Sequence, residues 1–171
     1  MKFVVTSYRL SSKEKRRFIN ELSFLSNDAL DIVRGFASIE YILLRVGYVV
    51  YRCDGKPLFF RKKKGEKVYP TLFLPLMFKN IEIPSVITDV GAVKYILNGA
   101  DVMVPGITQI RGELKKGDIC LIREEKSFKV YAIGEALMNK DQILESKKGR
   151  AIKNIHYYND KLWKIILTLL K

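Results

Sequence analysis

Residue types that perform covalent chemistry are scarce in this chain and badly placed for it. The 171 residues hold one histidine, His156, and two cysteines, Cys53 and Cys120. His156 lies in Asn154-Ile155-His156-Tyr157-Tyr158-Asn159-Asp160, with no serine or cysteine nucleophile near it in a recognisable motif. A lone histidine of this kind reads as a packing residue satisfied by a local hydrogen bond. The cysteines form no CxxC pair, and the chain cannot supply four Cys/His ligands at the spacing of a structural zinc site. Cys120, inside Ile119-Cys120-Leu121-Ile122, reads as a core residue, whereas Cys53 stands just before a turn and is expected to be partly exposed. No disulfide is expected. The carboxylates form no pair with a reason to be tuned apart, and Gly91, Gly99 and Gly106 make neither a GxGxxG nor a GxxxxGK[ST] loop. The expectation is a chain that is not an enzyme and takes no cofactor and no metal.

What remains is charge. Lysine and arginine number 31 against 18 acidic residues, a formal net charge of +13, and such an excess favours polyanionic partners, because each neutralised phosphate releases counterions. A lysine-rich solvated surface is the bland alternative, and a membrane surface is the chief rival partner. No apolar run approaches the roughly 20 residues that cross a bilayer. The start, Met1-Lys2-Phe3-Val4-Val5-Thr6-Ser7-Tyr8-Arg9, has neither the apolar core nor the cleavage site of a signal peptide. A cytoplasmic protein with no membrane partner is therefore expected. Charge is densest at Arg61-Lys62-Lys63-Lys64-Gly65-Glu66-Lys67, where six of seven residues are charged. That loop follows two phenylalanines on a strand, so it serves either solubility or the tracking of phosphates. Lys13, Lys15, Arg16 and Arg17 read more simply, as a solvated helix face.

These side chains need elements to position them. Lys2 to Arg9 reads as a strand. Ser11 or Ser12 caps a helix, with Glu14 completing a capping box and Phe18, Leu22 and Leu25 forming a buried stripe that carries the helix to about Ser26. Asp28 to Arg34 reads as a helical turn and Ser38 to Arg45 as a strand. Asp54-Gly55 joins Tyr48–Arg52 to Pro57–Lys62 as a hairpin. Thr71 caps a short apolar helix, Leu72 to Phe78, with Pro75 in its first turn. Beyond Pro84 the pattern changes to short strands and turns. Val93, Ile96 and Leu97 lie at helical spacing, Asn98-Gly99 stops that helix, and Val102-Met103-Val104 reads as a buried strand ended by Pro105-Gly106. Strands follow at Ile119–Arg123 and Lys129–Gly134, apolar on both faces as in a small barrel. A charged turn at Lys140–Lys148, a closing strand at Gly149–Tyr157 and a docking apolar segment at Leu162–Leu170 complete the chain. The expected units are 1–80 and 81–171.

The run Thr88-Asp89-x-Gly91-Ala92 … Asn98-Gly99-Ala100-Asp101-x-Met103-x-Pro105-Gly106-Ile107 resembles the signature of the PUA domain, a small β-barrel-like RNA-binding module. Together with Leu58-Phe59-Phe60-Arg61, Tyr69-Pro70-Thr71-Leu72 and Gly149-Arg150-Ala151-Ile152-Lys153-Asn154-Ile155-His156-Tyr157-Tyr158-Asn159-Asp160-Lys161-Leu162-Trp163, the pattern is similar to the malignant-T-cell-amplified-sequence family. That resemblance implies an α+β fold: an N-terminal pre-PUA α/β domain followed by a C-terminal PUA β pseudo-barrel, here in an archaeal member. It implies an RNA surface at the helix after Gly91 and Ala92, the loop at Gly99 and Ala100, and the strand around Pro105 and Gly106. Lys94, Arg111, Arg150 and Lys153 stand near enough in the pattern to contact phosphates, and Tyr95 is either a stacking ring or a core-facing one. The implied partners are RNA, as a tRNA acceptor end or rRNA, together with the small ribosomal subunit and a density-regulated-type protein. By the same analogy Arg61, Lys62, Lys63, Lys64 and Lys67 would meet rRNA. The function expected is non-catalytic RNA binding in translation initiation or ribosome recycling. An accessory subunit of an RNA-modification enzyme and a protein-interaction adaptor are the alternatives.

Overall fold

The computed structural model describes residues 3–170; Met1, Lys2 and Lys171 lie outside the described residues, and with Lys2 the first residue of the expected opening strand. The chain divides into two compact units. One comprises the residues up to Glu82 together with those from Lys164 on, and the other is Ile83–Trp163.

The first unit is built on an antiparallel meander of five strands, β1 (Val4–Arg9), β2 (Ile39–Leu44), β3 (Val49–Cys53), β4 (Lys56–Arg61) and β5 (Tyr69–Pro70), hydrogen-bonded in chain order. The β3–β4 hairpin turns on Asp54 and Gly55, both at positive φ (44° and 82°), the geometry of the tight turn that matches strand twist. Asp54 locks it further by accepting from the Ala37 and Ser38 N–H groups at 3.0 and 2.7 Å. Helix α1 (Ser12–Asn20) starts at Ser11 with the full capping box to Glu14. It ends six residues earlier than its apolar stripe suggests. Leu22 and Leu25 are buried all the same, because successive turns (Leu22 N–H to Ile19 O, Leu25 N–H to Leu22 O) point them at the core. Ser26, expected as a helix end, instead caps α2 (Asn27–Gly35). Phe18 stacks on Tyr51 at 4.2 Å and meets Phe59 edge-on, which fixes α1 to the sheet. Thr71 Oγ1 accepts from the Phe73 N–H at the start of α3 (Phe73–Met77). Cys53 is fully buried, and burial pushes its thiol up to about 12; the expectation of partial exposure fails because β3 is covered on both faces, with Val49, Val50 and Tyr51 buried as well.

The second unit holds a six-stranded sheet in the order β7-β11-β10-β9-β6-β8. The strands are β6 (Ser85–Thr88), β7 (Val102–Met103), β8 (Ile107–Arg111), β9 (Ile119–Glu124), β10 (Val130–Ala136) and β11 (Arg150–Tyr157). Pairing is antiparallel except between β6 and β9. The two edge strands, β7 and β8, are joined by the single 3-10 turn Val104–Gly106. Six strands laid flat would set the edges roughly 24 Å apart. The connecting residues reach at most about 14 Å. The sheet must therefore curl until its edges nearly meet, which is the pseudo-barrel expected from the sequence. Its interior is filled by Val86, Ile96, Val102, Ile122, Ala132, Ala136 and Ile152. At Gly134 a side chain would collide with Ile152 Cγ2, so the inner turn of the sheet requires glycine there. Helix α4 (Val90–Ile96) is capped by Asp89 and packs Ile96 inward, with Val93 and Leu97 against the same core. Helix α5 (Lys140–Glu145) lies within the connection from β10 to β11 and buries Ile143 in the core, and α6 (Lys161–Thr168) follows β11. The sequence pattern places the apolar C-terminal segment with the second unit. From Lys164 on it groups with the first, where the Leu169 carbonyl accepts from Arg52 Nη1 at 3.1 Å.

Candidate nucleic-acid interface

Among the described residues no three His, Cys, Asp or Glu side chains gather as metal ligands, and no helix is long and apolar enough to cross a membrane. His156 is fully buried, and its Nδ1 lies 2.7 Å from Asp160 Oδ2. Asp160 also accepts from the N–H groups of Tyr157 (3.0 Å) and Trp163 (2.7 Å), so it caps α6 while holding the imidazole. Burial works to raise the Asp160 pKa, but these hydrogen bonds outweigh it and hold the carboxyl below its ordinary range. The pair is a structural tie at the end of β11.

The glycine-bounded residues do form one corner. The Asp89 N–H donates to the Gly106 carbonyl at 2.9 Å. A side chain on Gly106 would stand 3.3 Å from Ala92 Cβ, so the first turn of α4 lies directly against the 3-10 turn. Gly99 closes the turn that follows α4 at φ +94°, the left-handed region that glycine enters without penalty. The next residues are tied down by Asn154 of β11. Its side-chain amide donates to the Ile96 and Ala100 carbonyls, both at 2.9 Å, and its backbone N–H donates to Asp101 Oδ1. Arg150 opposes Met103 across the β11–β7 ladder and pairs with Asp101 at 2.7 Å. Gly91, Gly99, Ala100 and Pro105 are exposed, as are the side chains of Lys94, Arg150 and Lys153.

Two expectations change here. Met103 is 46% exposed, so β7 is not a buried strand; it is an edge with one face to solvent. Tyr95 is 60% exposed with Lys94 Nζ 4.9 Å from its ring centre, which removes the core-facing alternative. Arg111 is not brought to the corner. It pairs with Ser85 at the far end of β8 from Ile107, roughly 13 Å along the strand. There its guanidinium lies 4.5 Å from the centre of the Phe128 ring, a contact that sequence reasoning missed.

The basic loop divides in a similar way. Arg61 is buried. It donates through Nη1 and Nη2 to the Glu21 carboxylate at 2.8 and 2.9 Å, through Nε to Tyr51 Oη at 2.8 Å, and to the Glu66 carbonyl. Its charge is consumed by the fold, so a role in meeting rRNA does not suit it. Lys63, Lys64 and Lys67 are exposed and Lys62 is half-buried. The sequence signal that could have separated Arg61 from its neighbours is its place as the last residue of an apolar strand.

The sequence profile of the PUA domain matches residues 84–158. A protein of Methanocaldococcus jannaschii described as uncharacterized is 36% identical over 157 residues, covering 91% of this chain and 94% of its own. Translation machinery-associated protein 20 of Saccharomyces cerevisiae is 31% identical over 155 residues, covering 87% of this chain and 84% of its own. Malignant T-cell-amplified sequence 1-B of Xenopus laevis is 34% identical over 139 residues, covering 80% and 71%. The crystal structure of a hypothetical protein from Pyrococcus horikoshii superposes with a TM-score of 0.78 at 30% identity, over 94% of this chain and 99% of that one.

Proposed function

The chain belongs to the PUA-domain family of the malignant-T-cell-amplified-sequence proteins and translation machinery-associated protein 20, and from that premise we propose that it is a non-catalytic RNA-binding protein acting in translation. The observation that carries the reading is the corner of the second unit. Exposed backbone at Gly91, Gly99 and Ala100 stands beside Lys94, Arg150 and Lys153, and two hydrogen bonds from the Asn154 side chain hold the loop in one shape. A surface without side chains at its centre admits a sugar-phosphate backbone closely, and cations around it fix register without reading bases. Tyr95 supplies a ring on which a terminal base can stack.

In this reading the ligand is the single-stranded acceptor end of a tRNA. Lys62, Lys63, Lys64 and Lys67 of the first unit meet rRNA, and the setting is the small ribosomal subunit in the cytoplasm beside a density-regulated-type partner. The test is a titration of intact tRNA and of tRNA trimmed of its 3′ terminal nucleotides, each at low and moderate salt, with Lys94→Glu and Lys153→Glu in parallel. Steeply salt-dependent binding is expected, weakened by trimming and weakened several-fold by each variant. Equal affinity for any polyanion, indifferent to trimming and to both variants, would sink it.

A further inference from the structure

Three residues other than glycine hold positive φ among the described residues: Asp54 (44°), Asn159 (68°) and Phe128 (55°). Asp and Asn enter the left-handed region readily because their short polar side chains bond locally; a phenylalanine does not. Phe128 closes the β9–β10 hairpin, at the turn position where glycine or asparagine would sit without strain. The tip is built to hold it there. Glu124 accepts from the N–H groups of Lys126 and Ser127, both at 2.7 Å, and from Ser127 Oγ at 2.6 Å. The Phe128 N–H donates to the Glu124 carbonyl at 2.8 Å. Arg123 donates to the Phe128 carbonyl at 2.9 Å and, through Nε, to Ser85 Oγ at 3.0 Å.

The ring so positioned does not serve the interior. Phe128 stands outside the core cluster and is 38% exposed, with the Arg111 guanidinium 4.5 Å from its centre. Arg123 bonds the Phe128 carbonyl and the Ser85 hydroxyl, and Ser85 is the residue that Arg111 opposes across the β6–β8 ladder, so a second guanidinium lies near this tip; burial, and then the like charge of Arg111, lower the Arg123 pKa. A strained aromatic at the surface, flanked by arginines and by the exposed Lys126 and Lys129, has the chemistry of a stacking platform. The geometry points to a second RNA contact: Phe128 and Arg111 bind an unpaired base of the same RNA, stacked on the ring, with its phosphate on Arg111 and Lys129. This rests on the RNA-binding reading above, and it assigns Phe128 and Arg111 to a site apart from the Gly99 corner.

The experiment uses an RNA hairpin carrying a long single-stranded 3′ extension and the same hairpin ending blunt. Affinities are measured by fluorescence anisotropy and thermal stability is measured alongside. Phe128→Gly removes the ring and accepts the positive φ, so its melting temperature should hold or rise. Its affinity for the extended RNA should fall roughly 5- to 150-fold, the range of one lost base stack. Phe128→Tyr should bind like the parent protein, and Phe128→Leu should bind like Phe128→Gly. Parent-like binding by Phe128→Gly, while Lys94→Glu weakens the same RNA, overturns this site and leaves the corner standing. A drop in melting temperature with no change in affinity gives the ring a packing role and also overturns it. A parent protein that binds neither RNA overturns both readings.

Discussion

Arg61 and Arg111 occupy matching positions in the two units. Each is the last residue of its strand, and each sets its guanidinium over an aromatic ring, 5.5 Å from the centre of Tyr51 in one case and 4.5 Å from that of Phe128 in the other. There the likeness ends. Arg61 is buried, paired with Glu21 and bonded to the Tyr51 hydroxyl, so every polar direction of its fork points into the protein. Arg111 is exposed and has Arg123 as a neighbour. The two show why a charge count finds a class of partner but not its address. What separates a ligand contact from a structural strut is whether the fold has already answered the charge.

The largest effect that would break this comparison is Arg61→Ala. It should cost about 2–4 kcal/mol of stability, somewhat below the loss of a fully buried pair because Glu21 keeps solvent contact. Denaturant unfolding would read it, and RNA affinity measured well below the melting point should not move. A large loss of affinity in a stable Arg61→Ala protein would make the two arginines alike after all.

Asp160 sharpens the same contrast through pH. Its folded pKa is lowered, so its contribution to stability is present above the unfolded value and is lost as pH falls through the folded one. The denaturation midpoint should therefore fall off below about pH 4. Asp160→Asn should be less stable at neutral pH and should show a shallower acid limb. An unchanged limb would mean that the tie to His156 and α6 is worth little.

Arg111→Ala should be smaller for the fold, about 0.5–1 kcal/mol, the worth of an exposed cation over a ring. On RNA it should lower the slope of log affinity against log salt by roughly one. Smallest of all, Lys63→Glu with Lys64→Glu should leave stability within about 0.5 kcal/mol. Binding of purified small ribosomal subunits should weaken while stability holds; unchanged binding would make these lysines solubilising only and remove them from the rRNA contact.

Much of this was legible in the residues. Asp54-Gly55, Ser11 with Glu14, and Asn98-Gly99 are local signals, and each produced its turn, cap or stop because the deciding interactions lie within four residues. The stripe Phe18, Leu22, Leu25 misled about helix length. Burial at that spacing is achieved as well by a helix and two turns, and only the backbone bonds distinguish them. Arg61, Cys53 and Tyr95 were ambiguous because their partners or their exposure depend on which strand face or helix side meets the core. Phe128 was invisible for a different reason: its oddity is a dihedral angle, and nothing in Glu124-Glu125-Lys126-Ser127-Phe128-Lys129 announces which residue of the tip turns left-handed.

The corner offered to RNA also has a birth order. Its floor, β7, is paired by β11 alone, a strand that begins 47 residues after β7 ends, and its loop is held by Asn154 of that same late strand. Local pairings such as the β9–β10 hairpin can form while synthesis is under way, whereas this distant closure waits for the whole of β11. A growing chain stalled before Asn154 would carry α4 and its lysine without the clamp that shapes the corner. The surface is thus finished among the last parts of its unit, and the nascent chain on the ribosome that makes it has no completed corner to offer until that strand has emerged.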